Sequence, residues 1–191
     1  MKLLLFSLFF ASCGYHFQNK NEQPTLSVPY AKGDNEGMLT AAIVKEVSTT
    51  GGYDYVKSGG DYTLKVIVVG DGQETIGYRY DRNEFSGELQ HNLKPTENRR
   101  KITAQISLVD NATDQVVIGP LHITSSTDFD YVDINSIASL ATVTPSGRKE
   151  TVMELSLGQL DSIEGAQDDA IAPIYHDLAQ KISDAIRAVQ P

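Results

Sequence analysis

The only cysteine of this 191-residue chain stands close to its N-terminus, where it could serve as a site of lipid attachment. Cys13 follows a short apolar stretch at residues 3–10, one early lysine, and the small residues Ala11 and Ser12. This layout is typical of a secretory signal that ends in a small-residue cleavage site. Cleavage ahead of Cys13 frees its thiol for acylation, as in bacterial lipoproteins, and acyl chains hold a protein at a membrane. We therefore predict a signal peptide over residues 1–12 and a lipid anchor at Cys13.

The same segment is compatible with two alternatives. It could be an ordinary signal peptide that is cut at another bond, or an apolar helix that buries an inert cysteine. The apolar stretch is far shorter than the roughly 20 residues that a membrane-spanning helix needs. A single cysteine cannot form an internal disulfide. An unpaired cysteine in an exported chain suggests a dedicated role, and lipidation supplies one.

A basic cluster is the second group of residues with a recognisable chemistry. Arg99, Arg100 and Lys101 are consecutive, and Arg79 and Arg82 lie next to them if the two long predicted strands pair. Guanidinium groups bind phosphates through bidentate hydrogen bonds, so the cluster suits a phosphorylated ligand. The alternative is a solvated strand end whose charges discourage edge-to-edge aggregation.

Little in the sequence favours catalysis, a cofactor or a metal. The histidines fall in different predicted elements without ligand spacing, no serine lies in a nucleophile elbow, and no glycine-rich phosphate loop is present. Neighbouring carboxylates at residues 168–169 and 128–133 suit helix capping and solvated surface better than acid–base chemistry. The four histidines are His16, His91, His122 and His176. We expect no enzymatic activity, no cofactor and no metal site.

Composition and charge indicate an ordinary globular domain. Hydrophobic residues make up 40% and charged residues 21% of the chain, and the net charge is −9. A nucleic-acid binder needs a basic surface, and an acidic protein does not lie flat on anionic lipid. We predict one domain over residues 13–191 that is held at a membrane by its anchor.

Strands and helices must position these residues. Residues 25–29 alternate polar with apolar side chains and predict an edge strand, whereas residues 38–50 carry the apolar stripe of an amphipathic helix. Residues 53–56 predict a short strand or a connector. Residues 61–70 (DYTLKVIVVG) predict a strand, which residues 75–80 continue beyond a break or bulge at Asp71 and Gly72.

A hairpin and a long helix follow. Residues 100–109 alternate strictly, and a polar turn leads to a return strand that starts at residue 115. Residues 83–97 predict a loop, and residues 129–165 an insertion or a mobile segment. Residues 171–189 predict an amphipathic helix with Pro173 in its first turn. This order predicts an α+β two-layer sandwich, with a mixed or antiparallel sheet of about four strands and two helices packed on one face.

The start of the predicted mature chain, Cys13-Gly14-Tyr15-His16-Phe17, resembles the start of the LptE family of lipopolysaccharide-assembly lipoproteins. The order of the later elements is similar to that family over residues 13–128 and 166–190. The similar elements are the strand at residues 26–29, the helix at 38–50, the strands at 53–56 and 60–66, the hairpin at 100–116 and the last helix at 180–189.

The resemblance implies a non-enzymatic outer-membrane lipoprotein, anchored through acyl chains such as palmitate. It implies that the chain plugs and helps assemble an LptD-type β-barrel and assists lipopolysaccharide delivery to the cell surface. Binding of that glycolipid is assigned to basic residues of an exposed strand and loop edge. The matching candidates are Arg79, Arg82, Arg99, Arg100 and Lys101. The alternative is a periplasm-facing lipoprotein that acts as a scaffold or interaction module of another envelope complex.

Overall fold

The computed structural model describes residues 23–83, 86, 88–132, 141–143, 145–151 and 162–188. Cys13 and the predicted signal peptide lie outside these residues. In chain order the elements are β1 (Thr25–Ser27), α1 (Met38–Thr50), β2 (Asp54–Val56), β3 (Tyr62–Arg82), β4 (Leu89–Asp110), β5 (Gln115–Asp130), β6 (Ala141–Val143), β7 (Lys149–Thr151), α2 (Ile163–Asp169) and α3 (Ile171–Arg187).

Five strands form one mixed sheet in the order β2-β1-β3-β4-β5. β1 is parallel to both of its neighbours, whereas β3, β4 and β5 are antiparallel to one another. β6 and β7 form a separate two-stranded sheet. The α+β class and the mixed sheet are confirmed, and the sheet has five strands, one more than the expected number of about four. The fifth strand is β2, whose three residues are too few to show the alternation that separates a strand from a connector.

Both long helices bury a stripe of aliphatic side chains against the same face of the sheet. The stripe residues recur at intervals of four, as expected for one face of a helix. They are Leu39, Ile43 and Val47 in α1 and Ile174, Leu178, Ile182 and Ile186 in α3. The sheet contributes Leu64 and Val66 from β3 and Ile102, Ala104 and Ile106 from β4 to the same core. The predicted helix at residues 38–50 is therefore confirmed, and the one predicted at 171–189 is confirmed from Ile171 to Arg187, with residue 189 outside the described residues. The short α2 was not predicted.

Asp34 fixes the start of α1. Its Oδ2 accepts hydrogen bonds from the backbone N–H and the hydroxyl of Thr40 at 2.8 and 2.7 Å. Gly37, with φ 76°, precedes the helix, and Gly51, with φ 73°, follows it. Glycine adopts such left-handed conformations at little cost, so the helix is bounded at both ends.

A reciprocal clamp holds the start of β1. The N–H and hydroxyl of Thr25 donate to Oδ2 of Asp61 at 2.8 and 2.7 Å, and the N–H of Asp61 donates to the Thr25 hydroxyl at 2.8 Å. The hydrogen bond from the Thr25 backbone, followed by the one from its side chain, lowers the pKa of the Asp61 carboxyl. The prediction that this segment is an edge strand is wrong, because β2 pairs with its other side.

β3 and β4 are unusually long, with 21 and 22 residues; typical strands have about 5–6. The ladder between β4 and β5 ends at the pair Glu97 and Asp130. Beyond that pair, β3 and β4 continue as a ribbon of two strands. We call residues 78–82 and 89–95 of this ribbon the arm.

Part of the arm lies in the segment predicted to be a loop, residues 83–97. β4 begins at Leu89, so the loop prediction is wrong from that residue onward. Local sequence is a weak guide here, because Pro95 and the nearby polar residues lower strand propensity, whereas pairing with β3 satisfies the backbone. The arm closes at its tip with a hydrogen bond from Asn83 N–H to the Glu88 carbonyl at 2.8 Å.

Secondary structure occurs in the segment that was expected to be an insertion, residues 129–165. β6, β7 and the first turn of α2 fall inside it. The domain boundaries stay a prediction. Within the described ranges, no helix has the length and apolarity required to cross a membrane.

Candidate functional site

A groove of about 410 Å³ lies on the sheet face opposite the helices. At its centre, Gly70 and Gly72 of β3 are paired with Thr103 and Lys101 of β4. The glycines have no side chains, and a Cβ at position 72 would meet no atom within 4 Å, which leaves the strand surface open. The remaining lining residues are Asp71, Gln73, Glu74 and Arg99.

A one-residue bulge at Val69 decides which side chains of β3 reach this groove. The pairing with β4 skips Val69, between Val68 and Gly70. Up to Val68, the even-numbered side chains of β3 face the helices. After the bulge, the odd-numbered side chains face them instead, beginning with Asp71. Gly70 and Gly72 therefore lie on the outer face. Bulges are a known way in which a strand redirects its side chains.

Two cations line the groove, and they differ in availability. Nε and Nη2 of Arg99 donate to the two carboxylate oxygens of Asp128 at 2.6 and 2.8 Å. This hydrogen bonding raises the pKa of the Arg99 guanidinium and lowers the pKa of the Asp128 carboxyl. Lys101 is exposed and forms no ion pair with any residue that the structure describes. Lys101 is thus the cation of the groove that is open to a ligand.

Arg100 points to the other face of the sheet. Its side chain is only 10% exposed, because alternate residues of β4 face the helices. Nε and Nη2 donate to the carboxylate of Asp71 at 3.1 and 2.7 Å, and Nη1 donates to the backbone carbonyl of Gln167 at 2.8 Å. The guanidinium therefore joins β3, β4 and α2, and the structure does not bring it together with Arg99 and Lys101.

The remaining two predicted binding residues lie on the arm. Arg79 is paired with Lys94, and Arg82 with Leu89. Arg79 is seven positions beyond Gly72, which corresponds to about 23 Å of strand at about 3.3 Å per residue. The five predicted residues thus occupy three places: the groove, the half-buried ion pair of Arg100 with Asp71, and the arm. Their assignment to a ligand is untested and stays a prediction.

The described histidines lie apart from one another. Nε2 of His122 is 3.2 Å from the side-chain oxygen of Gln105, and Nε2 of His176 is 3.3 Å from the side-chain nitrogen of Gln180. His91 lies on the arm, and His16 is outside the described residues. In the part of the chain with described coordinates, no three His, Cys, Asp or Glu side chains are grouped closely enough to hold a metal ion.

Sequence reasoning missed Gly70, Gly72 and Thr103 as parts of a groove. A usable signal exists, because a glycine inside a strand often marks a bulge or a close approach. The expected irregularity at Asp71 and Gly72 is a bulge at Val69, slightly earlier in the strand. Placing Thr103 beside Gly70 requires the register between two strands, which the sequence does not give directly.

The structure is a small α+β domain with an open groove on the outer face of its sheet, lined by two cations and two carboxylates. The sequence model of the LptE family, described as Lipopolysaccharide-assembly, matches residues 23–186. The chain therefore belongs to the LptE family, and the predicted resemblance is confirmed. Membership in a lipopolysaccharide-assembly family is consistent with the prediction that the chain is not an enzyme.

Solved lipoprotein structures show a distant likeness. A minor lipoprotein from Acinetobacter baumannii is 15% identical, with a TM-score of 0.45 over 87% of this chain and 95% of that one. Uncharacterized lipoprotein B from Nitrosomonas europaea is 13% identical, with a TM-score of 0.45 over 86% and 81%. Rare lipoprotein B from Shewanella oneidensis is 13% identical, with a TM-score of 0.41 over 86% and 94%. No curated protein matches the chain significantly.

Proposed function

We propose that this chain is an outer-membrane lipoprotein that plugs an LptD-type β-barrel, helps the barrel assemble and assists delivery of lipopolysaccharide to the cell surface. The observation that carries the proposal is the family match over residues 23–186. The fold is compatible with a plug, because the helices cover one face of the sheet and leave the other face, with its groove, open to a ligand.

The groove provides chemistry for contact with a phosphorylated glycolipid. A phosphate group suits the exposed ammonium of Lys101, with the Arg99 guanidinium beside it as a second donor. The chain has a net charge of −9, and the groove lining also includes Asp71 and Glu74, so a phosphate would be held by direct contact with these two cations and not by a general positive field. We assign Lys101 and Arg99 to this contact, and Arg79 and Arg82 to a second basic position on the arm. Arg100 acts within the fold.

The chain that follows the lipid anchor at Cys13 would reach the described fold at β1, which lies at one end of the sheet. β1 begins at Thr25 and pairs with the first residues of β3, Tyr62 and Thr63. β3 then runs away from this end toward the arm at Arg82. In this arrangement, residues 1–12 are removed as a signal peptide and the domain 13–191 extends away from its membrane-attached end.

The central test is purification of the tagged full chain from detergent-solubilised cell envelopes. We expect a large β-barrel protein to be recovered with it, and mass spectrometry to find a mature chain that begins at Cys13 and carries acyl groups. Recovery of the chain alone would contradict the plug, and recovery with a different envelope complex would support the scaffold alternative. A mature chain that begins at another residue would contradict the anchor.

Removing both groove cations tests glycolipid binding. We expect Arg99→Gln with Lys101→Gln to weaken binding of purified lipopolysaccharide at least about tenfold, because two charge-assisted contacts to phosphate are lost. Glutamine avoids adding carboxylates beside Glu74 and Asp128. Equilibrium binding measurements on folded protein give the comparison.

The matched control is Lys45→Gln with Lys57→Gln, which removes the same charge at two other exposed positions. The control is expected to bind lipopolysaccharide like the native chain. Equal affinities for the groove variant and the control would remove Arg99 and Lys101 from the binding site.

A further inference from the structure

Three rows of residues cross the outer face of the sheet at the groove. Each row joins residues that lie directly opposite one another on β3, β4 and β5, so their side chains share that face. The rows are Gly70, Thr103 and Thr124; Gly72, Lys101 and Ser126; and Glu74, Arg99 and Asp128. The third row has a carboxylate at each end, whereas the first two contain no carboxylate. An anion on this face is therefore best placed over the first two rows, with Arg99 at their border.

The other carboxylate of the groove does not oppose an anion at this place. Both oxygens of Asp71 accept hydrogen bonds from Arg100, at 3.1 and 2.7 Å, on the side of the sheet that faces the helices. The charge of Asp71 is thus compensated within the fold. The exposed ammonium of Lys101 is the nearest charge on the outer face of the two rows.

Four side chains of β4 and β5 form the corners of a rectangle in these two rows. They are Lys101, Ser126, Thr124 and Thr103. Directly opposite Cβ atoms are about 5 Å apart, and residues two positions along a strand are about 7 Å apart. A phosphate group over the centre of the rectangle is within hydrogen-bonding reach of every corner. Gly70 and Gly72 have no side chains and leave the β3 side of the rectangle open.

The hydroxyl groups of the rectangle have protons to donate. Ser126 is exposed, and within the described ranges its hydroxyl has no hydrogen-bond partner. The hydroxyls of Thr103 and Thr124 are 3.0 Å apart and bond to each other. Because each hydroxyl carries one proton, that bond uses one of the two protons and leaves the other for a ligand.

We propose that the rectangle is a phosphate subsite, in which the Ser126 hydroxyl and the Thr103–Thr124 pair are the neutral donors that accompany Lys101. A phosphate monoester presents three strong acceptor oxygens, which matches one ammonium and two hydroxyl donors. The ammonium compensates the charge, and the hydroxyls orient the group. The inference rests on the proposed function, and adds to it the place of the phosphate and the uncharged residues that hold it.

Removing the hydroxyl donors while keeping both cations tests this inference. The full chain with Ser126→Ala and Thr124→Val, the hydroxyl variant, is expected to bind purified lipopolysaccharide at least about tenfold more weakly, since hydrogen bonds to a charged group are lost. The matched control is Ser107→Ala with Thr113→Val. Ser107 lies on the same face of β4, about 20 Å from Lys101 along the strand, and Thr113 lies in the exposed turn before β5. The control is expected to bind with native affinity.

A second variant blocks the rectangle without removing a hydrogen bond of the fold. The φ of Gly72 is outside the left-handed region, and a Cβ at this position would meet no atom within 4 Å. Gly72→Leu is therefore expected to fold, to place its side chain beside Lys101, and to weaken lipopolysaccharide binding at least about tenfold. Its urea unfolding midpoint should be no lower than that of the native chain. Native affinity in a folded Gly72→Leu chain would contradict a ligand at this place.

Probes that differ in their phosphates identify what the rectangle holds. Lipopolysaccharide whose phosphates have been removed is expected to bind equally to the native chain and to the hydroxyl variant. Inorganic phosphate alone is expected to bind the native chain at least about 100-fold more weakly than intact lipopolysaccharide does, and equal affinities would assign the rectangle to free phosphate and overturn its assignment to the glycolipid.

The outcomes separate this inference from the proposed function. Native affinity of the hydroxyl variant for intact lipopolysaccharide, or the same loss of affinity for the form without phosphates, overturns the inference and leaves the proposed function standing. Failure of the native chain to bind either form of lipopolysaccharide overturns the glycolipid contact of the proposed function itself.

Discussion

Replacing Leu178 with alanine is expected to lower the free energy of unfolding by about 2–5 kcal/mol, the range found for large-to-small substitutions in well-packed cores. Leu178 is fully inaccessible and lies in the core that α1, α3 and the sheet share. The α3 stripe cannot close the space easily, because the helix packs against α1, β5 and β4. Urea unfolding followed by circular dichroism measures the loss.

Val117→Ala is the control for this prediction. It also shortens an aliphatic side chain, but Val117 is 49% exposed, so we expect a change within about 0.5 kcal/mol, as for surface substitutions in general. Comparable losses for the two variants would show that α3 does not pack as described.

Arg100→Met is expected to destabilise the protein by about 2–3 kcal/mol. The substitution keeps much of the buried aliphatic stem but removes the bidentate partner of Asp71 and the donor to the Gln167 carbonyl. Breaking a buried ion pair from one side costs more than the pair contributes, because it leaves the remaining charge without compensation. The expected loss is smaller than the roughly 3–5 kcal/mol for fully buried pairs, because the Asp71 side chain is 44% exposed and water compensates part of its charge.

Arg99→Met provides the comparison, because it removes the same group from the next residue of the strand. The Arg99 and Asp128 side chains are 42% and 41% exposed, and exposed ion pairs contribute little, so its effect on unfolding should be much smaller. We therefore expect Arg100→Met to lose more stability than Arg99→Met. We expect Arg99→Met to lose more affinity for the glycolipid than Arg100→Met. If Arg100→Met lost glycolipid binding and kept its stability, Arg100 would be a ligand-binding residue and not a structural one.

The two long helices, α1 and α3, could be predicted from sequence because their signal is local. Four isoleucine and leucine side chains at intervals of four predict α3, and Pro173 falls in its first turn, where the missing N–H does no harm. Gly37 and Gly51 bound α1 in the same local way. Such a periodic pattern arises whenever one face of a helix is buried, whichever element it packs against.

The sheet was harder to predict because strand pairing is a long-range property. The prediction treated the segment at Thr25 as an edge strand, but the short β2 pairs with its free side. The loop predicted up to Glu97 is strand from Leu89, since β3 supplies its hydrogen-bond partners. In both cases tertiary context overrides a weak local preference.

The candidate site shows the same limit. Arg99, Arg100 and Lys101 look like one basic cluster in the sequence, yet strand alternation sends Arg100 to the helices and its neighbours to the groove. That division could be read from the alternating pattern of β4 alone. The groove itself could not, because it depends on the bulge at Val69 and on the pairing of Gly70 with Thr103.

The clamp between Thr25 and Asp61 has a mechanical consequence. β1 is parallel to β2 and β3, so a pull along the strand axis on the chain ahead of Thr25 would load both rows of backbone hydrogen bonds in shear, together with the side-chain clamp. Bonds that share tension must break together, whereas an edge strand can be peeled away one bond at a time. The N-terminal segment thus enters the domain through a joint suited to bearing force.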